Sequence, residues 1–305
     1  MKTNQIALVG GFLLISLGSC GQSLNERLGY PKDSKLLIVH ADDIGVSHSE
    51  NQATFDAMAV GMVNSGSIMV PCPWFSEVVH WAKQHPQSDL GLHLTLNSEW
   101  KYLKWGPVAP INKVTGLVDS QGYFYDNVEQ LVNNASVEEV ELELRAQIEK
   151  ALAAGLKPTH LDTHMGSVLN KKFFPIYLKL GWEYKIPVMA SRTMLDFLPE
   201  LKPLMDDKTI MIDHIVIANP EDFKEGMAAF YTKQLRSLPQ GVTVLLMHLG
   251  YDNAEMQAMT VDHPDYGARW RQEDFDFFTS ETCRQILKEE GIKLVTWGEI
   301  QGLIK

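Results

Sequence analysis

Short, continuous apolar runs alternate with helical patterning along most of this chain. Residues 36–39, Leu-Leu-Ile-Val, read as a strand covered on both faces. Helical periodicity follows over 47–62, with Ser47 as N-cap and Glu50 three residues on, as in a capping box. A strand at 67–70, a helix at 73–84 and a strand at 90–96 come next. Residues 97–135 then form a long irregular section containing Trp100, Tyr102, Trp105, Tyr123, Phe124 and Tyr125. Loops of this length in a compact domain are often lids or binding loops. Most of these rings are expected to pack the loop onto the body, the others being free to stack on a sugar face.

A second capping box, Ser136 with Glu139, opens a helix over 136–154 that stops at Gly155. Beyond it the pattern predicts strands at 160–162, 187–190, 215–218, 242–247 and 293–296. Helices are predicted at 171–182, 220–238 and 280–290, with a short one from Gly298. About eight strands interleaved with helices in one run predict a single α/β domain over residues 35–305. Its mostly parallel sheet is either closed into a barrel or open and doubly wound.

The amino terminus follows a different logic. Lys2 precedes an apolar run over residues 6–17, too short to span a bilayer but suited to a signal-peptide core. Leu17-Gly18-Ser19-Cys20 resembles a bacterial lipobox, so residues 1–19 are expected to be removed and Cys20 acylated, with 20–34 as a tether. That predicts an envelope protein held at the membrane only by its lipid. Cys72 and Cys283 are then expected as buried thiols, and no CxxC pattern supports a sulfur-ligated zinc site. A net charge of −11 without a basic block argues against nucleic acid or an anionic lipid surface as partner. Oligomeric state is not legible.

Chemistry-bearing residues gather at strand ends. His160, Asp162 and His164 recur at a spacing of two, which in a strand turns all three to one side, toward the same pocket or ion. A hydrogen-bonded His/Asp cluster would satisfy the same pattern. His40-Ala41-Asp42-Asp43 ends the first strand, His93 lies at the end of the third, and His248 follows the strand at 242–247. In parallel α/β folds the carboxyl ends of the strands are where substrates bind. Two imidazoles and a carboxylate on a divalent cation leave open positions for water or substrate. An adjacent carboxylate could then take a proton from that water and a histidine return one to a departing amine, a set of roles that describes amide or ester hydrolysis.

The run from Val39 to Ser47, followed by Asn51 and by Gly61-Met62-Val63-Asn64-Ser65, resembles the opening of the YdjC-like carbohydrate deacetylases. Gly91 to Leu96, Pro158 to His164 and His248 to Tyr251 resemble that family's later blocks, in the same order. The resemblance implies a distorted (β/α) barrel related to the polysaccharide deacetylases, and removal of acetyl groups from N-acetylated amino sugars. It implies Asp43, His93 and His164 as ligands of one divalent ion, zinc or magnesium. Asp42 would be the base acting on water at that ion, and His248 the acid or transition-state stabiliser. His160 and Asp162 would orient the ligands, and His40, Arg192 and Tyr251 are candidate substrate contacts.

Overall fold

Strand β1, Lys35–Ile44, is buried along nearly its whole length because both of its faces are covered. Leu37, Val39 and Ala41 face outward and pack with Met227, Tyr231 and Phe278 under the surrounding helices. Leu36 and Ile38 face inward and join Val242, Val244 and Trp297 in a separate cluster that fills the bottom of the barrel. The structure, a computed structural model, describes residues 22–205 and 208–304. The expected leader, residues 1–19, and Cys20 lie outside the described residues.

Six further strands complete the sheet: β2, Ser65–Ile68; β3, Leu90–Leu94; β4, Leu161–Thr163; β5, His214–Val216; β6, Gly241–Met247; and β7, Lys293–Leu294. Their order is β4-β3-β2-β1-β6-β5, with β7 pairing the first part of β1, and the pairings are parallel. The expected strand at 187–190 is reduced to isolated bridges, Val188 to Leu161 and Ser191 to Ile212. Those bridges carry the sheet round from β4 toward β5. The result is a distorted (β/α) barrel with a weak seam on that side.

The β1–β2 register shifts between Ala41 and Ile44, and Asp43 adopts a left-handed φ of 63°. Neighbouring residues of a regular strand point to opposite faces; a bulge re-aims one of them. Both Asp42 and Asp43 therefore face the top of the barrel. Asp is among the few residues that tolerate this backbone region, and the following Gly45, at φ 104°, absorbs the rest of the turn.

Several local expectations change. Residues 23–27 do not behave as a tether: Ser23 forms a capping box with Glu26, and Leu24 inserts beside Leu36 and Trp297. Asn25 donates to the carbonyls of Lys32 and Ser34, folding the segment back onto the body. The helix His48–Val60 is capped by Ser47, but Glu50 does not reach back to close a box. Its side chain goes to Arg271 instead. The helix expected over 220–238 breaks into Pro220–Phe223 and Met227–Arg236 at Gly226, whose φ is 86°.

The long section 97–135 contains two 3-10 turns and the helix Val128–Asn134. Trp100, Trp105 and Phe124 are buried, whereas Tyr102 is exposed. Glu143, from the helix Val137–Ala153, accepts from the amides of Val108 and Ala109 and pins the section down. Cys72 and Cys283 are buried free thiols, as expected. Among the described residues no helix is long and apolar enough to cross a membrane.

Packing inside the barrel generates a stability test. A Cβ on Gly91 would lie 2.4 Å from the ring of His160, which is itself held against Trp297. Overpacking of this kind costs about 1–3 kcal/mol. Gly91→Ala should lower the urea midpoint accordingly, and adding His160→Ala should cost less than the sum of the two single changes. An unchanged midpoint for Gly91→Ala would show that the two strands are not this close.

Candidate active site at the barrel mouth

Inward-facing positions change character with height. On β1 the series Leu36, Ile38, His40, Asp42 runs from apolar to charged, and on β6 Val242, Val244 and Leu246 lead to His248. Low in this series, His40 is wholly buried. Its Nδ1 meets Ser65 Oγ at 3.0 Å, and its Nε2 meets Asp162 Oδ2 at 3.0 Å and Asp42 Oδ1 at 3.1 Å. Burial opposes a charge on this ring, but hydrogen bonds to Asp162 and Asp42 outweigh it and raise its pKa to about 9. His40 does not line the cavity. It holds two carboxylates in place and is not the substrate contact expected from the sequence.

Above it three ligand atoms converge. Asp43 Oδ1 lies 3.2 Å from His164 Nδ1 and 3.4 Å from His93 Nε2, and those two nitrogens are 3.3 Å apart. Bonds of about 2.05 Å in a tetrahedron place neighbouring ligand atoms about 3.3 Å apart, so this triangle could hold a zinc-sized divalent ion on its open side. Asp43 Oδ1 is buried with no hydrogen-bond partner, which a cation would satisfy.

The remaining ring nitrogens are both engaged by carboxylates. His93 Nδ1 meets Asp162 Oδ1 at 2.9 Å, following directly from the His93–Asp162 register of β3 and β4. His164 Nε2 meets Glu99 Oε2 at 2.9 Å. Such pairs fix the tautomer that leaves the other nitrogen free for a metal. Burial works against the charge of Asp43, but His164, His93, His248 and Arg271 hold its carboxyl well below the usual range.

Asp42 stands beside the triangle, with Oδ2 3.9 Å from His248 Nε2. His248 Nε2 is equally 3.9 Å from Asp43 Oδ2, its ring packs edge-on against Tyr266, and its backbone amide donates to Asp274. Burial lowers the pKa of His248 and pushes that of Asp274 up to about 8.

The recurrent motif at 160–164 divides its labour. His160 Nδ1 pairs with Thr159 Oγ1 and the ring stacks on Trp297, low in the barrel. Its ligand atoms group with His40 and Asp162, whereas those of His164 group with Asp43 and His93. Four strand residues span about 13 Å, so facing one way does not bring His160 and His164 to one ion. Arg192 is exposed and pairs with Asp213, and the Tyr251 hydroxyl donates to Asp56 beside Phe275. Neither lines the cavity.

Sequence reasoning missed three members. Glu99 comes from the aromatic loop. Arg271, on the helix Ala268–Phe278, is 1% exposed and donates to Asp43 Oδ2 at 2.9 Å and to Glu50. Glu50 lies behind it, off the helix His48–Val60. A detectable signal existed: Arg271 and Asp274 sit among Trp270, Phe277 and Phe278 on the buried face of that helix, where a charged residue needs a partner.

Comparison with known proteins agrees with this architecture. Residues 36–289 match the family model described as YdjC-like protein. A carbohydrate deacetylase of Thermus thermophilus is 33% identical over 91% of this chain and 98% of its own length. Another, from Brevibacillus brevis, is 30% identical over 87% and 99%. This chain therefore belongs to the YdjC-like family. Among solved structures, one from Enterococcus faecalis V583, described provisionally as a cellobiose-phosphate cleavage protein, superposes with a TM-score of 0.72. It is 24% identical and the match covers 88% of this chain and 99% of that one, which supports the fold.

The buried charges make a second stability test. Removing one partner from a buried ion pair costs about 3–5 kcal/mol, because the other charge is left uncompensated. Arg271→Met should therefore destabilise strongly in urea, and Glu50→Gln in the same chain should recover part of the loss. Wild-type stability for Arg271→Met alone would rule out the pairing.

Proposed function

We propose that this protein is a metal-dependent hydrolase that removes acetyl groups from N-acetylated amino sugars or their oligosaccharides. The observation that carries the reading is the triangle of Asp43, His93 and His164 with the unclaimed edge of Asp42 beside it. The relatives named carbohydrate deacetylases favour the same substrate class. One divalent ion, zinc or magnesium, would supply positive charge that acidifies water and polarises the acyl oxygen.

The chain's own residues divide the remaining tasks. Asp42, anchored by His40 through Oδ1, keeps Oδ2 directed at the cavity and takes the proton from the attacking water. His248 is placed to hydrogen-bond the oxygen that gains charge, or to hand a proton to the departing nitrogen. Asp162 and Glu99 keep the two ligand imidazoles oriented, and Arg271 holds the far oxygen of Asp43.

Purified protein should release acetate from N-acetylglucosamine or its oligomers, and a chelator should stop it until a divalent ion is restored. Asp42→Asn should lower kcat by about 10²–10⁴-fold with the fold intact, while Asp162→Asn and Glu99→Gln should weaken metal affinity about 10–100-fold. Acetate assay and metal analysis of each variant check this. Full activity of Asp42→Asn, or activity indifferent to chelation, overturns the assignment. A purely glycan-binding role is disfavoured by Asp42 and His248, which a binding protein has no use for.

The envelope location rests on the sequence pattern at Cys20, and we propose it on that basis. Cys20→Ser should move the protein from the membrane fraction to the soluble one; an unchanged distribution refutes the anchor.

A further inference from the structure

The cavity above the site, about 910 Å³, has two unlike halves. One is mostly polar and comes from the end of β1, the loop after β3 and 263–271: Asp42, Glu99, Asp126, His263 and Asp265 line it beside the rings of Trp100 and Tyr266, and among the described lining residues Arg271 is the sole Lys or Arg. The other half comes from the barrel's weak seam and from β6. Met165, Met189, Met194, Phe197, Ile215 and Leu246 line it. Phe197 is 85% exposed and Met165 and Ile217 are each 44% exposed, so the apolar side of the cavity includes solvent-facing side chains.

An enzyme that handled only hydrophilic oligosaccharides would gain little from so many apolar side chains on one side of its cavity, several of them facing solvent. Three methionines on it suit an apolar group without fixed shape, since the thioether chain adapts to its contacts. Phosphate is disfavoured on the polar half, because Arg271 is already committed to Asp43 and Glu50. We infer that the substrate is an uncharged acylamido sugar carrying a hydrocarbon chain that lies along the seam wall. This rests on the hydrolase reading above and narrows its substrate. The chemistry is unchanged: water adds at the acyl carbon, the C–N bond breaks, the acyl group leaves as a carboxylate and the nitrogen departs as an amine carrying the proton. The chain is carried either by the acyl group or by the aglycone, and the two sources are separable.

The test has a binding arm and a turnover arm. Hexyl, heptyl and octyl β-D-glucopyranosides below their micellar concentrations should bind with affinity rising up to about fourfold per buried methylene. In turnover, octyl N-acetyl-β-D-glucosaminide and N-octanoylglucosamine are compared with N-acetylglucosamine and its tetramer. At least one octyl compound should exceed the chainless ones by tenfold or more in kcat/KM, and which one does so places the chain. Phe197→Ser combined with Ile217→Ser, both at exposed rim positions, should collapse that ratio. Affinity flat with chain length, or a preference that grows with the number of sugar rings instead, overturns the inference. Chain-dependent binding with no hydrolysis of any compound would uphold the apolar wall and sink the hydrolase reading, so the two failures are distinguishable.

Discussion

Carboxylates buried at close quarters must be compensated, and the top of this barrel is organised around that requirement. Asp42, Asp43 and Asp162 are each less than a tenth exposed and lie within reach of one another's partners. Each is met by a cationic or hydrogen-donating group: His40 joins Asp42 to Asp162, Arg271 takes the outer oxygen of Asp43, and His93 lies between Asp162 and Asp43. Left unpaired, any one of them would cost about 3–5 kcal/mol, a large share of a domain's net stability. The inner oxygen of Asp43 is buried without a hydrogen-bond donor, and it is the atom toward which the His93 and His164 rings converge.

That convergence depends on a local defect in β1. Without the shifted register between Ala41 and Ile44, the two aspartates would face opposite sides of the sheet and one would be lost into the outer hydrophobic layer. The bulge thus links backbone geometry to chemistry. It separates a carboxylate suited to holding an ion from one free to accept a proton, though the two are adjacent in the chain.

The seam opposite β1 has the reverse character. Where regular pairing gives way to isolated bridges, the stretch 189–197 contributes Met189, Met194 and Phe197 to the cavity and no acid or imidazole. A regular strand there would have directed alternate side chains outward to pack under helices. The irregular path brings Met189, Met194 and Phe197 to the cavity instead.

Much of the site was legible because strand periodicity is strict. Asp42, His93, His164 and His248 could be placed at strand ends from apolar runs alone, and the parallel register then brings His93 beside Asp162. What stayed hidden were contacts between distant segments: Arg271 meets Glu50 across 221 residues, and Glu99 reaches His164 from an irregular loop whose path no periodicity predicts. Sequence by itself determined the alternating strand–helix order and the residue types at the strand ends, because burial on both faces leaves a local apolar signature. Only the tertiary structure decided which of those residues share an ion-sized space, how high in the barrel each one sits, and which wall is apolar. Those outcomes depend on register, bulge and closure, which arise from pairing between segments and leave no mark within any one of them.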